Sequence, residues 1–121
     1  MNTELAENVF WVGSDTQMDG LRCNPYLLIA GDEAVLFDPG SPIDFDDVLE
    51  NVLELIPLHK ISYVVLSHQD PDLCASVPLF EQKGLNASLV CHWRSSVIIQ
   101  YYNVTSPFYL VDQHDFQLVL E

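Results

Sequence analysis

The run Ile61-Ser62-Tyr63-Val64-Val65-Leu66 limits the possible folds more than any other stretch of the chain. Its near-continuous apolarity fits a strand covered on both faces, as strands of parallel α/β sheets are. Helix-like patterns lie on either side of it. Phe45, Val48, Leu49, Val52, Leu55 and Ile56 recur at a period of 3.6, which predicts a helix over 45–56 ended by Pro57. Asp44 suits its N-cap, and Asp46 and Asp47 suit the positive end of its dipole. Pro71 suits the first position of a second helix reaching Lys83, closed by Gly84.

The flanking pieces complete the pattern. Val9 to Val12 reads as a short strand. Pro25 to Ala30 and Ala34 to Phe37 read as a hairpin turning at Gly31-Asp32-Glu33. Ala87 to Cys91 reads as a strand, residues 94–102 as a helix with Val97, Ile98 and Tyr101 inward, and Phe108 to Val111 and Phe116 to Leu120 as closing strands. The predicted order is β-β-β-α-β-α-β-α-β-β, an α/β fold with a mixed sheet and helices packed on it. No repeat, low-complexity tract or linker divides it, so residues 1–121 are read as one domain. A final strand ending at Glu121 would leave an open sheet edge suited to pairing.

Charge narrows the function. Eighteen acids stand against four bases, Arg22, Lys60, Lys83 and Arg94, for a formal charge of −14. Nucleic acid and anionic membrane surfaces both need clustered bases, so neither is an expected partner. No apolar run approaches the ~20 residues of a membrane span, and Met1 to Glu7 lacks the basic start of a signal peptide, so the expected location is cytoplasmic. Cys23, Cys74 and Cys91 form no Cys-x-x-Cys pair; Cys74 and Cys91 lie in apolar runs and read as core residues.

The chemistry concentrates in Ser67-His68-Gln69-Asp70-Pro71-Asp72, directly after the buried strand. Ligands of open α/β sheets sit beyond the carboxyl ends of strands. One imidazole and two carboxylates at that rim suit Zn, Fe or Mn better than Mg or Ca. Ordinary structural roles exist for each: Asp70 as N-cap, Asp72 at the helix dipole, His68 as a bonded loop residue. Asp38, after the strand ending at Phe37, is either a turn residue or an acceptor that orients a ligating imidazole. His92 ends another strand and is a weaker ligand candidate; His59 reads as a surface residue and His114 as a polar turn residue. No nucleophile elbow or phosphate-cradling glycine loop occurs.

Three segments together resemble the metallo-β-lactamase fold: Asn24-Pro25-Tyr26-Leu27-Leu28-Ile29, Val35-Leu36-Phe37-Asp38-Pro39-Gly40 and Val65-Leu66-Ser67-His68-Gln69-Asp70-Pro71-Asp72. Hydrolases of that fold carry His-x-His-x-Asp-His. Asp70 in place of the second imidazole is similar to the flavodiiron proteins and, more closely, to the flavin-free oxygen-binding diiron proteins. The stretches Cys91-His92-Trp93-Arg94-Ser95-Ser96 to Tyr101-Tyr102 and Pro107-Phe108-Tyr109-Leu110-Val111-Asp112 are similar to the same group.

That resemblance implies His68 and Asp70 on one iron, Asp72 on the other, and Asp38 as the acid behind them. It implies a two-iron centre for O2 binding, sensing or reduction, without flavin, in which carboxylate ligation favours the ferric state. Leu73 departs from the many relatives with His at that place. Length departs too. Domains of the group run to about twice this size and consist of two similar halves, so the chain corresponds to the N-terminal half of such a domain. The remaining ligands would come from the missing C-terminal half or from a second copy in a homodimer. Two other readings follow from the same resemblance: a dinuclear zinc hydrolase, with Mn also admissible, and a fragment that does not catalyse.

Overall fold

The computed structural model describes residues 2–14 and 23–120. Arg22, one of the four bases, lies outside the described residues. Seven strands form one mixed sheet in chain order: β1 (Thr3–Ala6), β2 (Val9–Trp11), β3 (Tyr26–Ala30), β4 (Glu33–Phe37), β5 (Ile61–Val65), β6 (Ser88–Cys91) and β7 (Phe108–Leu110). β1 to β4 pair antiparallel, and β4 to β7 pair parallel. Short turns join β1 to β2 and β3 to β4, residues 12–25 connect β2 to β3, and each parallel neighbour needs a helical crossover. Asn8 (φ 65°) turns β1 into β2, and Gly31 (φ 63°) turns β3 into β4.

The crossovers are α1 (Phe45–Leu53) between β4 and β5, α2 (Pro71–Cys74) with α3 (Val77–Gln82) between β5 and β6, and α4 (Trp93–Ile99) between β6 and β7. They share one core. Strand register aligns Phe10, Leu27, Leu36, Val64, Leu89 and Phe108 in a row across the sheet. This row packs against Phe45, Val48 and Val52 of α1, Val77 and Phe80 of α3 and Ile99 of α4. Phe45 meets Phe80 edge to face at 4.8 Å. Alternation sends the neighbouring rows to the opposite face: Trp11, Tyr26, Phe37, Val65, Val90 and Tyr109 in one, Val9, Leu28, Val35, Tyr63 and Ser88 in the other. Tyr63 and Val65 are therefore half-buried rather than sealed by a second helical layer. The apolar run 61–66 reflects one helix-covered face and one apolar face without helices.

Val97, Ile98 and Tyr101, expected inward, are exposed, and Ile99 is the buried residue of α4. Three other expectations are corrected. The helix expected over 71–83 is two, because Pro78 has no N–H to continue the α2 ladder, and the Ser76 N–H bonds Gly40 O instead (3.0 Å). α1 stops at Leu53, with Glu54 as C-cap, before Pro57 is reached. Residues 116–120 form no strand: Asp115 (φ 55°) and Phe116 (φ 56°) bend the chain, and the N–H groups of Phe116 and Gln117 bond Val111 O and His114 O. β7 is the sheet edge on that side. The first strand, Thr3–Ala6, had no counterpart in the pattern analysis.

Candidate metal-binding rim

The parallel strands end at one rim, and each hands its next residues to it. Asp38 follows β4, Ser67 and His68 lie two and three residues past β5, His92 follows β6, and Asp112 lies just past β7. Parallel pairing of β4 to β7 puts their carboxyl ends on one edge, so four loops meet there.

Asp38 takes up the loop after β5. Its Oδ1 accepts the Ser67 N–H at 2.8 Å and its Oδ2 accepts the Ser67 hydroxyl at 2.6 Å. Its own N–H donates to Val65 O at 2.9 Å, and its φ of 48° turns the carboxylate toward Ser67. It thus grips the residue directly before His68. Next along the loop, His68 Nδ1 lies 3.2 Å from Asp70 Oδ2, and these side chains are 52% and 56% exposed. That is a direct imidazole–carboxylate contact, close to the ~3.0 Å that two donors on one ion with bonds of about 2.1 Å would keep.

Asp70 occupies the N-cap position of α2 but makes no capping hydrogen bond with its side chain, which faces His68 instead. Pro71 is at the first turn as expected, and Asp72 lies in that turn, half-buried. Asp44 likewise sits at the α1 N-cap position without a capping side-chain bond; Ser41 caps the short 3₁₀ turn (Pro42–Asp44) ahead of it.

Several residues that spacing did not single out hold this loop. The Tyr102 hydroxyl donates to Gln69 O at 2.8 Å, and Ser95 donates to Gln69 Oε1 at 3.3 Å. The buried Cys74 thiol points at Gln69 O (3.3 Å) and Asp70 O (3.1 Å). Gly40 N–H donates to Leu73 O at 2.9 Å. Only tertiary packing brings α4 and its following turn onto residue 69.

Electrostatics report the same convergence of acids. Burial pushes the Cys74 thiol up to about 12, and the charges of Asp38, Asp70 and Asp72 add to it. Burial and then Asp38, Asp44 and Asp72 push Cys23 up to about 11, and burial and Asp112 do the same for Cys91. Tyr102 is raised by burial, then by Cys74, Asp70 and Asp72. The thiols are protonated neighbours of an acidic rim, not nucleophiles.

The remaining histidines lie apart from His68 in role. His92 caps α4, its Nδ1 accepting the Arg94 N–H at 3.1 Å. His114 stacks on Tyr109 at 4.1 Å, and His59 is exposed in a 3₁₀ turn. Among the described residues, no three His, Cys, Asp or Glu side chains already surround one point where an ion could sit. His68 and Asp70 meet as an imidazole–carboxylate pair; a closed dinuclear set is not supplied by these residues.

Residues 21–121 match the family described as ODP family beta lactamase. The chain belongs to that family. Its fold is metallo-β-lactamase-like, and solved structures agree. A flavodiiron protein from Giardia intestinalis superposes with a TM-score of 0.78 at 21% identity, over 94% of this chain and 31% of that one. A metal-soaked flavodiiron core from Synechocystis gives 0.77 at 20% identity, over 91% and 31%. A metallo-β-lactamase from Cronobacter sakazakii gives 0.68 at 16% identity, over 92% and 46%. This ODP-family chain therefore spans less than half the length of these relatives. No curated protein matches it significantly. Among the described residues no helix is long and apolar enough to cross a membrane.

Proposed function

We propose that this ODP-family chain is a metal-binding partial domain, with His68 and Asp70 on one ion and Asp72 facing a second. The observation that carries the reading is the His68–Asp70 contact of 3.2 Å at the carboxyl end of β5, on a loop that Asp38 fixes through Ser67. In this reading the metal is iron and the bound molecule is O2 or a similar small ligand. Two carboxylates among three donors add negative charge, which favours the ferric state and suits reversible oxidation better than a neutral imidazole set. Iron would supply the electrons that O2 accepts. The chain's own residues hold the imidazole and carboxylates in place and surround them with acids.

Each ion takes about four to six donors, so three side chains are part of a centre, and the rest come from a second copy or from the remainder of a complete domain. Sensing in the cytoplasm, through a partner that reads the charge of the site, is the use we propose for such a centre. The rival reading is a zinc hydrolase, favoured by the likeness to the Cronobacter metallo-β-lactamase fold. Asp70 weighs against it, because a carboxylate there reduces the Lewis acidity that activates a zinc-bound water.

The test is anaerobic loading with ferrous iron followed by air. The iron reading expects retained iron and new visible absorption that Asp70→Ala lacks. Retention of zinc over iron, with no absorption after air, would favour the hydrolase.

A further inference from the structure

His68 and Asp70 stand on backbone that the sheet no longer holds. The Leu66 N–H still bonds Val90 O of β6 at 2.9 Å, and helical bonding resumes with the Leu73 N–H to Asp70 O at 3.0 Å. The two side chains are 52% and 56% exposed, so packing does not wedge them together. What sets the imidazole against the carboxylate is the path of the chain from Ser67 to Asp70.

Two clamps fix that path. Asp38 takes Ser67 from the β4 side, by its N–H and its hydroxyl. Tyr102 takes Gln69 from the other side, its hydroxyl donating to Gln69 O at 2.8 Å. That carbonyl belongs to the peptide unit joining Gln69 to Asp70. A peptide unit is planar, so holding its oxygen orients the plane that ends in the Asp70 Cα. One hydroxyl thereby sets the direction in which the Asp70 carboxylate leaves the backbone. The other contacts here are weaker. The Cys74 thiol reaches Gln69 O at 3.3 Å, but a thiol is a poor donor. Ser95 holds only the Gln69 side chain, also at 3.3 Å, and the backbone can turn without it.

Tyr102 has the reach and the stiffness for this. It closes the 3₁₀ turn Gln100–Tyr102 after α4, and Asn103 at φ 67° ends that turn. Its ring packs against the core, which leaves the hydroxyl at the tip of an anchored arm. The bond spans 33 residues and ties the β6–β7 crossover to the loop after β5. Burial, then Cys74, Asp70 and Asp72, raise the hydroxyl above its ordinary value, so it keeps its proton and remains a donor.

We infer that Tyr102 is a positioning residue for the His68–Asp70 pair, acting through the Gln69–Asp70 peptide without touching the ion. Its effect on an ion rests on the proposed metal reading; its hold on the pair does not.

Tyr102→Phe removes the hydroxyl and keeps the ring. In the metal-free chain, nuclear magnetic relaxation of the backbone amides at residues 68–70 is expected to give order parameters near about 0.85 in the parent and toward about 0.6 in Tyr102→Phe, with unchanged circular dichroism. Tyr101→Phe, its exposed neighbour, is expected to match the parent. In dialysis against ferrous iron without air, Tyr102→Phe is expected to hold iron about tenfold more weakly, and Ser95→Ala at most about twofold. The visible absorption that follows air is expected to shift in Tyr102→Phe, because the carboxylate meets the ion at a changed angle. Unchanged backbone order in Tyr102→Phe overturns the inference. So does lowered order with iron held as tightly as by the parent, or an equal loss of iron in Tyr101→Phe. A parent that holds no iron sinks the metal reading instead, and lowered order in Tyr102→Phe then still supports the hold on the pair.

Discussion

Asp38 makes a test of whether the loop before His68 is held by charge and geometry rather than by chain connectivity. Its carboxylate accepts from Ser67 N at 2.8 Å and from Ser67 Oγ at 2.6 Å. A hydrogen bond to a charged acceptor is worth about 1.5–3 kcal/mol, less where water replaces it, as it does around the exposed Ser67. Asp38 also sits at φ 48°, which Asp and Asn tolerate and Ala resists by roughly 1–2 kcal/mol. Asp38→Ala is therefore expected to cost about 3–4 kcal/mol in urea unfolding. Asp38→Asn keeps one acceptor oxygen and the backbone preference, and is expected to cost about 1–1.5 kcal/mol. Ser67→Ala removes the hydroxyl bond alone, about 1 kcal/mol, and the double variant with Asp38→Ala is expected to cost less than the two singles added. If Asp38→Ala stays within about 0.5 kcal/mol of the parent, or if Asn is as damaging as Ala, the carboxylate does not hold the loop.

Four further outcomes can be checked on the same protein. Cys23 at about 11 instead of 9.0 holds about a hundredth of the ordinary thiolate at pH 8, so its alkylation is expected to run about 100-fold slower than that of a free thiol and to keep climbing with pH until about 11, where a free thiol levels off near 9. All three cysteines have folded values above 9.0, so their contribution to stability is complete below about pH 9 and is lost as pH rises through about 11–12; unfolding free energy should fall over that window, and a flat profile would contradict the burial. Gly40→Ala, with φ 104° and a new Cβ 3.1 Å from Cys23 Sγ, is expected to destabilise by about 2–3 kcal/mol, against about 1–2 for Gly84→Ala, where φ is 108° and the space is open. Glu81 accepts from Thr105 N, Ser106 N and Ser106 Oγ, so Glu81→Ala is expected to cost about 2–3 kcal/mol by denaturant titration, and Glu81→Gln less.

Local signals in the chain were strong where a pattern repeats. The α1 stripe and the apolar β4, β5 and β6 put those elements within a few residues of their observed places. The mixed α/β sheet was legible for the same reason, its metallo-β-lactamase likeness came from the segments 24–29, 35–40 and 65–72, and the rim was legible because chemistry-bearing residues follow β4 and β5 within three positions. The failures are tertiary. Phe116-Gln117-Leu118-Val119-Leu120 alternates like a strand, yet positive φ at Asp115 and Phe116 folds it over Tyr109 instead. Thr3–Ala6 is short and fully exposed, and only pairing with β2 makes it a strand. The Tyr102, Ser95 and Cys74 bonds to residues 69 and 70 cross long stretches of sequence or run from a side chain to a carbonyl, so no spacing announces them.

The most direct measurement is equilibrium dialysis of ferrous iron, without air, against the parent chain, His68→Ala and the control His59→Ala. Iron held by the parent and by His59→Ala, with at least about tenfold weaker retention in His68→Ala, is the expected result. The same iron content in all three would mean that the rim after β5 is a fold feature only, and that its imidazole and carboxylates share no ion.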